Sequence, residues 1–365
     1  MLPADALAAP GDDRVFLKAE NLQLTGSFKI RGAVNAIRKL PRESLENGVV
    51  AASAGNHAQA VAAAAGSLGV PAILCMPAHA PLAKVDAVRE LGGEVRLVDG
   101  DYDECQEAAR ALGEREGRTL IPAFADPAVI AGQGTVGLEI ARDLPDVALI
   151  VAPVGGGGLI SGVAIAAKDR LPGVRVVGVQ AAQRSGRTIA DGIAVKRPAD
   201  LTLRLIEEHV DELVTVSDDE IAQAMVHLIE RSKLVVEGAG AAGLAALRAG
   251  AVQLPDEGSC CVVLSGGNVD ASLLAECIRM GETASGRRAV IKTVLPDRPG
   301  ALDALLRVVA DHDANIIDVA HLREGVDLHV RETLIRLVLQ TRGEAHGLEI
   351  ADAMREHGFS SEIEH

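Results

Sequence analysis

From about residue 48 the chain alternates short apolar runs with longer Ala-rich or amphipathic stretches. The runs are VVAAS (49–53), AILCMP (72–77), EVRLVD (94–99), LIPAF (120–124), ALIVAPV (148–154), RVVGVQA (175–181) and CCVVLSG (260–266). Short β-rich runs separated by helical stretches predict βαβ units and a largely parallel sheet covered on both faces. Ser217-Asp218-Asp219-Glu220 is a capping box and predicts a helix through about Ser232. The run 147–167 is long enough to span a membrane, but Pro153 and four glycines interrupt it, so a strand, a loop and a helix explain it better.

The pattern changes at 281–288, a polar, Gly-containing stretch that reads as a linker. After it come a strand (289–295), an amphipathic helix (299–312), two alternating strands (315–322 and 333–340), a helix (345–358) and a last short strand. That βαββαβ order is ferredoxin-like.

Charge removes some functions. Lys and Arg number 36 against 51 Asp and Glu, a net charge of −15. With no Trp, one Tyr and four Phe, the chain offers neither a basic face nor stacking platforms for nucleic acid. Five cysteines without a CxxC pair fit buried thiols in a reducing compartment, not zinc or disulfides. MLPADALAAP lacks the basic and apolar regions of a signal peptide, and a cytoplasmic location is expected, with no membrane partner.

Candidate chemistry lies in the loops after the strands, the edge where open α/β sheets bind ligands. Gly155-Gly156-Gly157-Gly158 ends an apolar strand and opens an apolar helix, a backbone cradle for an anion such as phosphate. Lys29 stands between Phe28 and Ile30 after the turn Thr25-Gly26-Ser27, a setting that can desolvate an amine and lower its pKa. Ser53-Ala54-Gly55-Asn56-His57 enters a helix, Glu237-Gly238-Ala239-Gly240 opens another, and Ser265-Gly266-Gly267-Asn268 ends a strand. Each alone reads as an ordinary turn or cap. His57 reads as a hydrogen-bonded scaffold residue more readily than as a base. His227 and Glu230, three apart on a helix, lack a third ligand, so no metal site is expected.

Taken together and in order, AENLQLTGSFKIRGA, SAGNHAQ, GQGTVGLEI, PVGGGGLISG, TIADG, VVEGAGA and LSGGNVD resemble the pyridoxal-phosphate threonine dehydratase family. That family belongs to the fold-type-II group, which also includes serine racemase. LPDRPGALDALL with ANIIDVAHLRE resembles an ACT regulatory domain, and the combination is similar to the single-ACT threonine ammonia-lyases. The resemblance implies an α/β catalytic domain over 1–280, with a smaller subdomain at about 48–140 set into a larger one. An ACT-like regulatory domain over 289–365 follows the linker. It also implies that Lys29 holds the cofactor as an internal aldimine and, once free, takes the α-proton. Gly155, Gly156, Gly157 and Gly158 take the phosphate, Asn56 the ring hydroxyl, and Ser265 the pyridine nitrogen. Glu237 lies near the ring. Ser53 is assigned a catalytic part, and Ser53, Ala54, Gly55, Asn56 and His57 take the substrate. With a neutral hydroxyl at Ser265 the ring is a weaker electron sink, which favours β-elimination over transamination.

The implied activity is threonine or serine ammonia-lyase, giving a 2-oxo acid and ammonia, in a homodimer or homotetramer. A branched-chain amino-acid effector would sit at Asp297, Arg298, Pro299 and Gly300, with Asn315. Alternatives are a serine racemase or hydroxyaspartate dehydratase on the same scaffold, and a non-catalytic amino-acid-binding regulator. Three departures bear on these. The family's Thr-Pro-Leu segment is missing around Pro10–Asp13. The stretch Gln180–Thr188, where relatives carry a mobile loop, is short. Gln180 replaces the divalent-metal Glu of racemases, which lowers that reading.

Overall fold

The computed structural model describes residues 1–3, 13–183, 188–195, 198–323 and 328–364. Pro10–Asp12 and Arg184–Arg187, in two of the departures above, lie outside the described residues. The chain divides into two compact units, Met1–Asp270 and Ala271–His365.

The first unit holds two sheets. Strands β1 (Leu2–Pro3) and β2 (Val15–Ala19) begin one of them. The chain then builds the other from β3 (Val49–Ala52), β4 (Ala72–Pro77), β5 (Glu94–Val98) and β6 (Thr119–Leu120), all parallel in the order β5-β4-β3-β6. It returns to the first sheet with β7 (Val147–Pro153), β8 (Arg175–Ala181), β9 (Glu212–Val216) and β10 (Ser259–Leu264). That sheet runs β1-β2-β10-β7-β8-β9, parallel except for β1. The central strands β3, β4 and β10 are buried along their whole length, as helices on both faces require.

Two elements differ from the sequence pattern. Of LIPAF only Leu120 is in a ladder, as the second residue of the strand Thr119–Leu120. Ile121 N–H still bonds Val50, but Pro122 has no donor to continue. The helix opened by Ser217 is regular only over Asp218–His227 and closes in a π turn, Leu228–Ser232. Its capping box forms as read: Ser217 N–H donates to Glu220 Oε2 at 2.7 Å, and Glu220 N–H to Ser217 Oγ at 3.3 Å. Among the described residues no helix is long and apolar enough to cross a membrane.

The second unit opens with a helix, Ala271–Ala284, so the first half of the stretch read as a linker is a helix end. Strands β11 (Arg288–Pro296), β12 (Asn315–Leu322), β13 (Glu332–Gln340) and β14 (Glu362–Glu364) form one antiparallel sheet, ordered β12-β13-β11-β14. Helices Ala301–Asp311 and Glu344–Glu356 complete the βαββαβ order. Leu305, Val309, Ile291, Leu337 and Ile350 share its closed core.

Candidate active site

Lys29 is the first residue of the helix Lys29–Arg38. The turn before it is unusual: Thr25 (φ 65°) and Gly26 (φ 69°) both occupy the left-handed region, which is strained for a β-branched residue. Bonds from the end of β10 hold that turn. Phe28 N–H donates to Ser265 O at 3.0 Å, and Gly267 N–H to Gly26 O at 2.9 Å. Lys29 Nζ donates to Ala123 O at 2.8 Å and lies 5.1 Å from the Phe28 ring centre. Burial pushes its pKa down to about 8, against the opposing pull of Glu237.

The segment carrying Ala123 also reaches the glycine turn. A Cβ on Gly156 would overlap the Phe124 ring, and one on Gly158 would lie 2.8 Å from Phe124 O. Gly155 meets Ile193 in the same way, at 2.8 Å from its Cα. Gly157 has φ 86° and caps the helix Gly158–Arg170. Only glycine fits this close approach. Among the described residues, none of the four glycine N–H groups donates to a backbone carbonyl. They remain available at a helix N-terminus, where an anion is favoured.

Asn56, the first residue of the helix Asn56–Leu68, donates from Nδ2 to Glu237 Oε1 at 2.8 Å, across 181 positions of chain. Burial, then the negative charge of Asp191, pushes Glu237 up to about 7, opposed by the Asn56 bond and by Lys84 and Lys29. A Cβ on Gly266 would overlap the same Glu237 carboxyl, so the loop after β10 is pressed against it. Lys29, Asn56, Gly155–Gly158, Glu237 and Ser265 therefore surround one region at the carboxyl ends of the strands.

The remaining expected residues divide. Ser53 Oγ accepts Gly55 N–H at 3.0 Å, so it shapes its own turn, while the space above Gly55 is open. Ala54 is half-buried beside them. His57 is buried away from that opening, with Nε2 bonded to Ile121 O at 2.8 Å. Burial, then the Lys29 charge, lowers its pKa to about 4, so it is neutral. In the second unit, Asp297, Arg298, Pro299 and Gly300 line a cavity of about 380 Å³ together with His321 and Arg323. Arg323 pairs with Asp297 at 3.0 Å. Asn315 does not join them. It bonds Gln340 at the opposite end of β12, roughly 20 Å away at the rise of a strand.

The Ala123 carbonyl and the Phe124 ring carry no signal in the sequence, and Asn268, legible there only as the end of the Ser265–Asn268 loop, bonds both Thr25 O and Asn56 through its side chain. Sequence reasoning also missed a charged cluster behind Lys29, in which Arg31 bonds Glu20 at 2.7 Å and Glu139 at 2.7 Å, and Lys18 pairs with Glu139. Glu20, Arg31 and Glu139 of that cluster lie within AENLQLTGSFKIRGA and GQGTVGLEI, but nothing local in those stretches says that they pair.

A family model described as pyridoxal-phosphate dependent enzyme matches residues 1–266. The chain belongs to that family. This pyridoxal-phosphate-dependent chain is 47% identical to an L-threonine ammonia-lyase of Thermotoga maritima, over 96% of its length and 90% of the relative's. It is 44% identical to an L-threonine ammonia-lyase of Geobacter sulfurreducens over the same shares. Among solved structures, threonine deaminase isoform 2 from Solanum lycopersicum superposes with a TM-score of 0.69 at 37% identity, covering 73% of this chain and 82% of that one. Maize serine racemase gives 0.70 at 35%, covering 78% and 92%. The donor set fits the family's cofactor: a buried amine held near neutrality, unpaired N–H groups for a phosphate, and polar side chains for a ring between them.

Proposed function

We propose that the protein is a threonine ammonia-lyase that also accepts serine. The observation that carries this is the placement of Lys29, at a helix start beside Ala123 O and the Phe28 ring with its amine desolvated, in a chain that aligns almost end to end with L-threonine ammonia-lyases. Pyridoxal phosphate, when bound, supplies the electron sink that lets a β-hydroxy amino acid lose its α-proton and its hydroxyl, leaving 2-oxobutanoate or pyruvate and ammonia.

The chain's residues do the rest. Lys29 Nζ holds the cofactor and moves the α-proton. At pH 7 about a tenth of an amine of pKa near 8 is neutral, against well under a thousandth for an ordinary lysine. Gly155–Gly158 would hold the phosphate with N–H groups and the helix start. Asn56 would bond the ring hydroxyl, and Ser265 would offer a neutral hydroxyl to the ring nitrogen. The Ser53 hydroxyl and the backbone N–H groups of Ala54, Asn56 and His57, which donate to no backbone carbonyl among the described residues, would bind the substrate carboxylate in the space left above Gly55. Glu237 keeps a negative charge beside Lys29 that varies near neutral pH. L-Threonine and L-serine turnover, followed as 2-oxo acid release with racemisation read on the same samples, tests this. D-Serine as the main product from L-serine would instead favour a racemase.

For the second unit we propose an ACT-like regulatory role. It rests on the βαββαβ order and on the cavity at Asp297–Gly300. In this reading a catalytic domain over 1–280 is followed by a regulatory domain over 289–365, and the stretch 281–288 between them begins as the end of the helix Ala271–Ala284. The chain assembles as a homodimer or homotetramer, which would be needed to bring a residue such as Asn315 of another copy to the cavity. Isoleucine and valine titrations of the full chain and of Gly300→Val test it. Equal responses of the two proteins refute the site.

A further inference from the structure

Asn268 follows β10 in a loop that carries none of the roles assigned above except that of Ser265. Its amide is the meeting point of three segments. Nδ2 donates to Thr25 O at 2.9 Å and to Asn56 Oδ1 at 2.7 Å. Its side chain lies flat on Gly26, where a Cβ would stand 2.5 Å from Asn268 Oδ1. A primary amide has two hydrogens on its nitrogen, and both are used.

Each bond has a consequence. Thr25 sits in the left-handed region four residues before Lys29, and a β-branched residue stays there only when its surroundings hold it. Asn268 supplies the side-chain clamp on that turn, beside the backbone bonds from Ser265 and Gly267. The second bond decides which way the Asn56 amide faces. With Oδ1 turned to Asn268, Nδ2 must turn to Glu237. Without Asn268, the Asn56 amide loses that bias and Glu237 loses an oriented donor.

We propose that Asn268 is a positioning residue. One amide holds the strained turn that presents Lys29 and orients Asn56 toward Glu237, so that three segments distant in sequence present one cofactor site. It acts through Asn56 and the turn, touching neither substrate nor reacting atoms. The proposal rests on the cofactor roles proposed above for Lys29 and Asn56.

The test is a double-mutant cycle on the full chain with Asn268→Ala, Asn56→Ala and both. Asn268→Asp is added because it keeps the shape while removing both donors. Two quantities are read: pyridoxal-phosphate affinity by equilibrium dialysis, and the pH dependence of Lys29 acylation in the cofactor-free protein, followed by mass spectrometry. Asn268→Ala and Asn268→Asp should each weaken cofactor binding by about ten-fold, and the double variant should bind no worse than about three-fold below the weaker single variant. Losing the Asn56 bond leaves Glu237 neutral to higher pH. The Lys29 profile should therefore move to lower pH in Asn268→Ala and in Asn56→Ala alike, with no further shift in the double variant. Multiplying losses in the double variant, or an unmoved Lys29 profile, overturns the proposal. So does a lowered melting temperature with affinity and profile unchanged, which is what a merely structural residue would give. If the unsubstituted protein fails to take up pyridoxal phosphate on Lys29, the cofactor reading falls, and the acylation profiles alone still decide the role of Asn268.

Discussion

The two units use their polar residues in opposite ways. In residues 1–270 the titratable groups of the site are buried or, at Lys29, half-buried with a desolvated amine, and desolvation moves them. Lys29 falls to about 8, Glu237 rises to about 7 and His57 falls to about 4. In residues 271–365 the charged groups around the cavity at Asp297–Gly300 are exposed, and Asp297 is held low by Arg323 at the surface. Parallel strands capped by helices bury their carboxyl-end loops against neighbouring elements, so a site there sits in low dielectric. A small antiparallel sheet with helices on one side leaves its first turn in water. The contrast fits chemistry in one unit and recognition of a polar ligand in the other.

The severest challenge to this contrast is Lys29→Ala. Removing the buried amine should lower 2-oxo acid release by at least about a thousand-fold. The same variant should leave the thermal melting of residues 271–365 unchanged in a limited-proteolysis melt. Retained activity would mean that the chemistry lies elsewhere.

A core truncation in the second unit should act in the reverse direction. Leu337 is fully buried on β13, and Leu337→Ala should cost about 2–5 kcal/mol. Proteolysis as a function of temperature should show early cleavage confined to residues 271–365. Equal loss in both units would merge the two regions that the comparison separates.

The pH behaviour of Glu237 sharpens the same point. Its folded pKa lies above its ordinary value of 4.5, so its contribution is fully present below pH 4.5 and is lost as pH rises through about 7. Glu237→Gln should therefore be more stable than the unsubstituted protein at pH 8, and about level with it or below it at pH 4. The difference approaches about 3 kcal/mol at most and is read by urea unfolding of the cofactor-free protein. A pH-independent difference would mean that the carboxyl is not held neutral by burial.

The smallest effect belongs to the exposed pair. Asp297→Ala should leave the melting temperature of the full chain within measurement error, because exposed ion pairs contribute little. It should still weaken any isoleucine or valine response. A large stability loss would show that the cavity wall is part of the second unit's framework.

The fold was legible wherever the signal was local. The strand runs at 175–181 and 315–322 appear with the bounds read from the sequence. Ser217 forms its capping box, and the four glycines lie where a strand hands over to a helix. The Lys29 motif was readable because a turn, an aromatic neighbour and a helix start lie within a few residues. LIPAF was over-read because apolar content outweighed Pro122 in the pattern. Asn315 and the turn at 297–300 lie at opposite ends of β12 within one chain, and the sequence pairs them only across an interface between copies.

What the sequence determined by itself, then, was the order of elements, the residue types at their ends and the chemistry those types can hold. Local geometry dictates these, since caps, turns and periodicity involve residues a few positions apart. It took packing across the whole unit to bring Asn56 to Glu237 over 181 positions, Asn268 back to Thr25, and Lys29 Nζ to Ala123 O. Those contacts set burial, and burial sets the charge states on which the site depends. Dielectric environment is a property of the packed protein, and no stretch of chain carries it alone.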